Sequence, residues 1–526
     1  MRLSYKWKAT LVVALGLFMA VLDNTIVSVA LPQMADAFHT SFETITWVAT
    51  AYFLAQAAVI PVIGYLSDRV GTKAVFIVAL ALFTLGSGLC ALAPSEKMLI
   101  AFRVLQGVGG GALFPMAFAI VFRVFPPEER GPASAVVGVP VLLAPAFGPT
   151  IGGYLTTTFD WSAIFTVNVP IGVVALILAS VILHGRHQEQ VEAATRGQRF
   201  DVLGLALSMA GFTALVYGIT DAGQYGWSDT TVVRFLIAGA ALLIAFVVVE
   251  LRVSDPVIDL RLFANYTFTM ANLVTWSLSA FLFGSLFLLP FFFENVQGRT
   301  ALTAGEILIS QGLAAAVGTI IAGRLYNRVG PRWLTTAGLI AVTAGTFGFT
   351  SLTIGSTAAS VQIWLILRGL GLGLSNTPLQ TLVLSVVSNR AMARASSLVT
   401  VTRQVFGAVG VSALTTYLTQ RTAAHAPSVT HTFTSTILPK AQAACVATAG
   451  QNVAAIKTCV QQAAQRYIVP HAAVLGLNDT FTMVMIGCGV TVVLALIVGR
   501  DPAVEAIKRA RARGEEVNPQ PVVIGE

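Results

Sequence analysis

Long apolar runs, separated by short polar intervals, dominate the chain from residue 10 onward. Each is close to the ~20 residues that one helix needs to cross a ~30 Å hydrocarbon layer. The first six lie at 10–31, 46–66, 75–92, 98–122, 133–155 and 163–183. A polar stretch, HGRHQEQVEAATRGQRFD, precedes runs at 202–220 and 232–249. After a second linker, LRVSDPVIDLRLFANYT, six more follow at 268–293, 301–322, 334–352, 361–387, 395–418 and 481–498. The pattern predicts an all-α polytopic membrane protein with fourteen spans. It divides into a six-helix bundle (1–184), a linker carrying two inserted helices (185–266), a second six-helix bundle (267–499) and a basic tail (500–526). The start, MRLSYKWKAT, has the basic character of a secretion signal. The run behind it is too long for a signal core, so it reads as a retained first helix.

Composition agrees: 56% of the 526 residues are hydrophobic and 11% charged, against roughly 25% charged in an ordinary soluble domain. The net charge of +8 does not point to nucleic acid, because the basic residues stand singly between apolar runs instead of forming a patch. Their distribution reports topology. With the N-terminus inside, 22 of the 32 Lys and Arg fall on the cytoplasmic side, seven outside and three within spans. Cytoplasmic loops carry such an excess, so both termini are expected in the cytoplasm, with the chain in the plasma (inner) membrane. Four cysteines and six scattered histidines offer neither a disulfide scaffold nor metal-ligand spacing, and no metal or cofactor is expected. The absence of a G-x-x-x-x-G-K-[ST] sequence disfavours ATP as the energy source.

The only charge in the first run is Asp23, in LDNTIVSVALP. An intramembrane acid costs a few kcal/mol on insertion scales, and such residues usually face a wet cavity or a partner and take part in ion traffic. A purely packing ion pair is the alternative. Arg103, in the fourth run, must also find an acceptor or water. Asp23 is a plausible partner, in which case protonating Asp23 would release Arg103 and create two states. Backbone carbonyls or Gln106 are the other candidates. An internal repeat strengthens the transport reading: GYLSDRVGTK (64–73) is echoed by GRLYNRVGPR (323–332), and RVLQGVGGGALFP (from Arg103) by RGLGLGLSNTP (from Arg368), both eight helices later. Repeats with a site at their interface are the plan of many secondary transporters.

At these residues the chain resembles the fourteen-span drug:proton antiporter family of the major facilitator superfamily. LDNTIVSVALP is similar to that family's first-helix motif, GYLSDRVGTK to its loop motif, RVLQGVGGG to its fourth-helix motif, GVPVLLAPAFGPTIGG (138–153) to the antiporter motif and FTVNVPIG (165–172) to the opening of the sixth helix. Glu306 is a further charge within a span; only a few residues from the outer edge, it reads either as interfacial or as part of transport. The resemblance implies proton coupling through Asp23 and Arg103. It implies gating by Gly64, Asp68, Arg69, Lys73, Gly148, Pro149, Gly152 and Arg328. Pro140, Pro145 and Pro149 fall in one span, and a bent, small-faced helix suits a hinge. Two departures stand out: Thr72 occupies a usually basic position, and Asn327 replaces the acid in the second loop copy, so any lock there should be weaker. Candidate cavity residues are Asn24, Gln106, Trp276, Phe283, Phe287 and Arg403. The aromatics would hold organic cations by cation–π contact, or simply face lipid.

The outer loop at 419–478 is long, and its Ala/Gln-rich middle is expected to form one or two helices on the membrane surface. Cys445 and Cys459 lie within it, where a disulfide and two free thiols are both admissible. The expected function is proton-coupled antiport of hydrophobic, cationic small molecules by alternating access, drawing only on the proton gradient. Export of a lipid or glycolipid on the same scaffold is the alternative. A polytopic membrane enzyme lacks a catalytic cluster, so no enzyme activity is expected. Expected partners are the bilayer, small hydrophobic substrates and protons, not nucleic acid. The chain is expected to be a monomer, and a periplasmic adaptor on its outer face is admitted.

Overall fold

The computed structural model describes residues 4–184, 201–253, 255–388, 391–449 and 452–512. Arg2, the first linker at 185–200 and the tail from 513, including Arg513, lie outside the described residues.

The first bundle comprises α1 (Tyr5–Ala37), α2 (Phe42–Val70), α3 (Thr72–Ala91), α4 (Glu96–Val124), α5 (Arg130–Thr158) and α6 (Ala163–Ile182). The inserted pair is α7 (Val202–Tyr225) and α8 (Thr230–Glu250). The second bundle comprises α9 (Tyr266–Val296), α10 (Ala301–Val329), α11 (Pro331–Phe347), α12 (Ala358–Ser385), α13 (Met392–Thr432) and α14 (Val453–Ile497). Among the described residues thirteen helices are long and apolar enough to cross a membrane. The helix outside that set is α11, whose 17 residues reach about 26 Å. The chain turns directly after it, at 348–350.

Polar residues start these helices where the apolar runs begin. Ser41 accepts from the Thr44 amide at 3.2 Å, and Asn265 from the Phe268 amide at 3.1 Å, satisfying donors that the first turn leaves open. The repeat is visible in the backbone: Gly71 ends α2 at φ 95° and Gly330 ends α10 at φ 96°. Both take a positive φ that glycine adopts without strain.

The two bundles meet along two seams. In one, α5 lies on α10, with Gly312 against Ala146 and Gly323 against Ala135. In the other, α2 lies on α13, and a Cβ on Gly64 would come within 2.6 Å of Arg394 Cα. The inserted pair straddles this second seam. From α7, Tyr217 stacks on Trp47 of α2 at 5.8 Å and Tyr225 donates to Glu43 at 2.7 Å, while Gly223 meets Ser412 of α13.

The long outer loop is built largely from extensions of its two flanking helices. Helix α13 runs 41 residues and α14 runs 45, roughly 60 Å or more each and about twice a ~30 Å hydrocarbon layer. Both spans therefore continue past the apolar run as helices. A short helix, Leu438–Ala449, folds against α14, and Cys445 and Cys459 are joined as a disulfide. At the base of this protrusion Asp479 accepts from Arg421 at 2.6 Å and is paired with His425 at 2.7 Å. Cys90 and Cys488 are buried free thiols.

Candidate functional site

Asp23 is fully buried in the first bundle, and its carboxylate receives three side-chain donors. Arg103 Nη1 donates to Oδ2 at 2.6 Å, while Gln106 Nε2 and Asn168 Nδ2 both donate to Oδ1 at 2.9 Å. The guanidinium is held as tightly. Its Nε donates to the Val48 carbonyl at 3.0 Å, its Nη1 to Gln106 Oε1 at 2.7 Å, and its Cζ lies 4.0 Å above the Tyr52 ring. Arg103 thus takes all of its proposed acceptors at once: the acid, the amide and a backbone carbonyl.

Local sequence explains how four helices converge here. Glycines thin α4 where it crosses its neighbours: a Cβ on Gly110 would stand 2.3 Å from the Tyr52 hydroxyl, and one on Gly107 2.7 Å from the Tyr52 carbonyl. Arg103 and Gln106, three residues apart, share the α4 face that this crossing exposes to α1. Asn168 lies within α6, where its Nδ2 also reaches Ser87 Oγ at 3.4 Å. Asn168, Tyr52 and Ser87 complete the site without having stood out in the sequence. Asn168 lies in the quoted FTVNVPIG stretch, and its signal is that of a lone amide in an apolar run.

A second polar cluster closes the end of the bundle that carries both termini. Asp68 Oδ1 accepts from Arg123 Nη2 at 3.2 Å and Oδ2 from Arg394 Nε at 3.0 Å. Arg394 belongs to α13, so this bond joins the two bundles. Its Nη2 lies 2.8 Å from Asp255 Oδ1 and its Nη1 donates to the Pro256 carbonyl at 2.7 Å. Arg69 Nη2 reaches Asp255 Oδ2 at 3.2 Å. The Tyr65 ring lies under both Arg69 and Arg394, at 4.7 and 5.2 Å. Thr72, at the family's usually basic position, accepts from Arg123. Lys73 is turned away from the cluster and donates to the Ser180 carbonyl of α6 at 2.9 Å.

The second loop copy is built differently. Arg328 is exposed, and Asn327 donates to the Glu128 carbonyl at 2.5 Å. The acid missing at Asn327 comes from the far end of the chain: Tyr326 donates to Asp501 Oδ2 at 2.8 Å, and Arg130 lies within the field of that carboxylate. Behind Asp501 the tail helix, Pro502–Ala512, buries Val504 and Ile507.

The remaining predicted residues are dispersed. Glu306 is exposed near the start of α10. Arg403 of α13 lies over the Phe114 ring of α4 at 4.1 Å, bridging the bundles. Trp276 stacks on Phe406 at 4.8 Å, Phe287 is partly buried, and Phe283 is 38% exposed beside Gly407. Asn24, next to the buried acid, has its Oδ1 shielded from solvent. Gly148 and Gly152 face Thr25 and Ile26 of α1, while Pro149 faces Gly305 of α10. The antiporter-motif helix therefore contacts both the acid-bearing helix and the opposite bundle.

The core is thus twelve helices in two bundles, with a buried ion pair in one of them. The sequence profile of the Major Facilitator Superfamily matches residues 13–411, and the chain belongs to that family. It is 37% identical over 78% of its length to a protein of Mycobacterium tuberculosis named multidrug resistance protein B homolog, covering 75% of that protein. It is 33% identical to the multidrug export protein EmrB of Escherichia coli K12, over 82% of this chain and 84% of that one. Its fold is similar to that of the proton:xylose symporter XylE, with a TM-score of 0.59, 13% identity, and 96% of this chain and 99% of that one covered. The chain is a multi-pass membrane transporter, not an enzyme.

Proposed function

We propose that the chain is a proton-driven exporter of hydrophobic, cationic small molecules, working by alternating access with the proton gradient as its only energy source. The observation that carries this reading is the fully buried Asp23 carboxylate, held by Arg103, Gln106 and Asn168. The names of the two relatives support the substrate class. With Asp23 ionised, its charge secures Arg103. A proton arriving on the carboxylate removes the attraction and leaves the guanidinium with the Val48 carbonyl, Gln106 and the Tyr52 face. Such a change biases the packing of α1 against α4, and with it the equilibrium between two orientations of the bundles. The Asp68–Arg394 bond must break when the end carrying the termini opens. The Lys and Arg distribution supports that end as cytoplasmic, in the inner membrane. The same reading takes the exporter as a monomer that needs no cofactor.

Purified protein in liposomes, loaded with a fluorescent lipophilic cation and given a pH step, tests the proposal. The native chain is expected to move the cation against the proton gradient. Asp23→Asn should insert and melt like the native chain but lose gradient-driven movement. Undiminished movement in that variant overturns the assignment.

A further inference from the structure

The inserted pair carries two acids that the transport cycle has not used. Asp201 caps the start of α7, with Oδ1 accepting from the Gly204 amide at 2.8 Å. Glu250 ends α8, with Oε2 accepting from the Ile258 amide at 3.3 Å. Their other oxygens, Asp201 Oδ2 and Glu250 Oε1, are buried and have no hydrogen-bond partner. Both converge over Gly204, where a Cβ would stand 2.3 Å from the first and 2.7 Å from the second. The residues are 8% and 2% exposed.

Two carboxylates so placed destabilise each other's charge, and burial removes the water that would screen it. A hydrogen bond from one to the other satisfies both orphan oxygens, and it requires one proton. Among the described residues, Arg394 lies within the field of Glu250, and its three nitrogens are committed to Asp68, Asp255 and the Pro256 carbonyl. Among the described residues, the titratable and charged groups next to the pair are Tyr65 of α2, beside Asp201, and Arg394 of α13, beside Glu250; Arg69 and Asp255 stand one contact further, against Tyr65 and Arg394. We propose that Asp201 and Glu250 share a single proton and form a second proton-binding site, separate from Asp23, at the base of the inserted helices. The site is wired to the lock: the Asp201 amide donates to the Tyr65 hydroxyl at 3.1 Å, and that ring lies under Arg69 and Arg394. Glu250, through Ile258, holds the linker that presents Asp255.

The test counts protons and does not depend on transport. Purified Asp23→Asn protein in detergent is stepped from alkaline to acid pH and the uptake recorded with a pH indicator. Infrared difference spectra follow the carbonyl stretch of a protonated carboxylic acid. Asp23→Asn should retain a carboxylic acid band that disappears in Asp23→Asn/Glu250→Gln, with uptake lower by one proton per chain. Asp201→Asn in the same background should remove it too, and a native melting temperature in either double variant shows that the loss is not unfolding. An unchanged band and uptake in both double variants overturns the proposal. So does a native-background band that sodium or potassium abolishes, which would assign the pair to a metal cation.

Discussion

Asp23 accepts three hydrogen bonds at a fully buried carboxylate, so each donor is expected to matter separately. Asn168→Ala leaves Oδ1 with Gln106 alone and should cost about 1–3 kcal/mol of stability, the range for a buried group losing its partner. Arg103→Ala strands the charge and should cost about 3–5 kcal/mol. Thermal melting in one detergent ranks the two. Asp23 and Arg103 were legible in the sequence because each is the single charge of its apolar run. Asn168 was not: a neutral amide does not interrupt hydropathy, and its role depends on α6 crossing α1. Glu306, a charge near the edge of its run, left an interfacial position and a transport role both open in the sequence, and the structure finds it exposed.

At the scale of elements, apolar runs located the spans but not their ends. Helices α13 and α14 leave the apolar run and continue through Ala-, Thr- and Gln-rich sequence, which favours helix without favouring lipid. A hydropathy reading stops where the helix does not. The Cys445–Cys459 bond closes a separation of 14 residues, worth roughly 3 kcal/mol by loop-closure entropy. Cys445→Ser is expected to speed proteolysis of the outer protrusion several-fold while leaving gradient-driven transport intact, as timed digestion and the liposome assay would show. The weaker lock expected at Asn327 met a substitution at a distance. Asp501 brings a carboxylate to Tyr326 from a tail separated by 175 positions, a partnership no local motif announces. Asp501→Asn should loosen the tail helix, and increased amide hydrogen exchange in 502–512 checks this.

Across the whole molecule, the pseudo-repeat gave away two bundles and an insertion, while the contacts between bundles required coordinates. Asp68 meets Arg394 across 326 positions, and Asp255 enters from a linker that reads as a plain connector. Gly64 sits where a side chain would wedge α2 from α13. Gly64→Leu is therefore expected to hold the terminal end apart, raising thiol labelling of a cysteine introduced near Arg394 and reducing transport.

The position of α7 and α8 also bears on the route by which a greasy cargo gets in. They lie like a strap across one of the two lines where the bundles meet, tied to Trp47 and Glu43 on one side and Ser412 on the other. A molecule already dissolved in the acyl chains finds that flank walled off. On the exporter reading proposed above, sideways entry of such a cargo would fall to the flank between α5 and α10, so bulky replacements there are expected to slow uptake of lipid-soluble cargo far more than the same replacements beneath the strap.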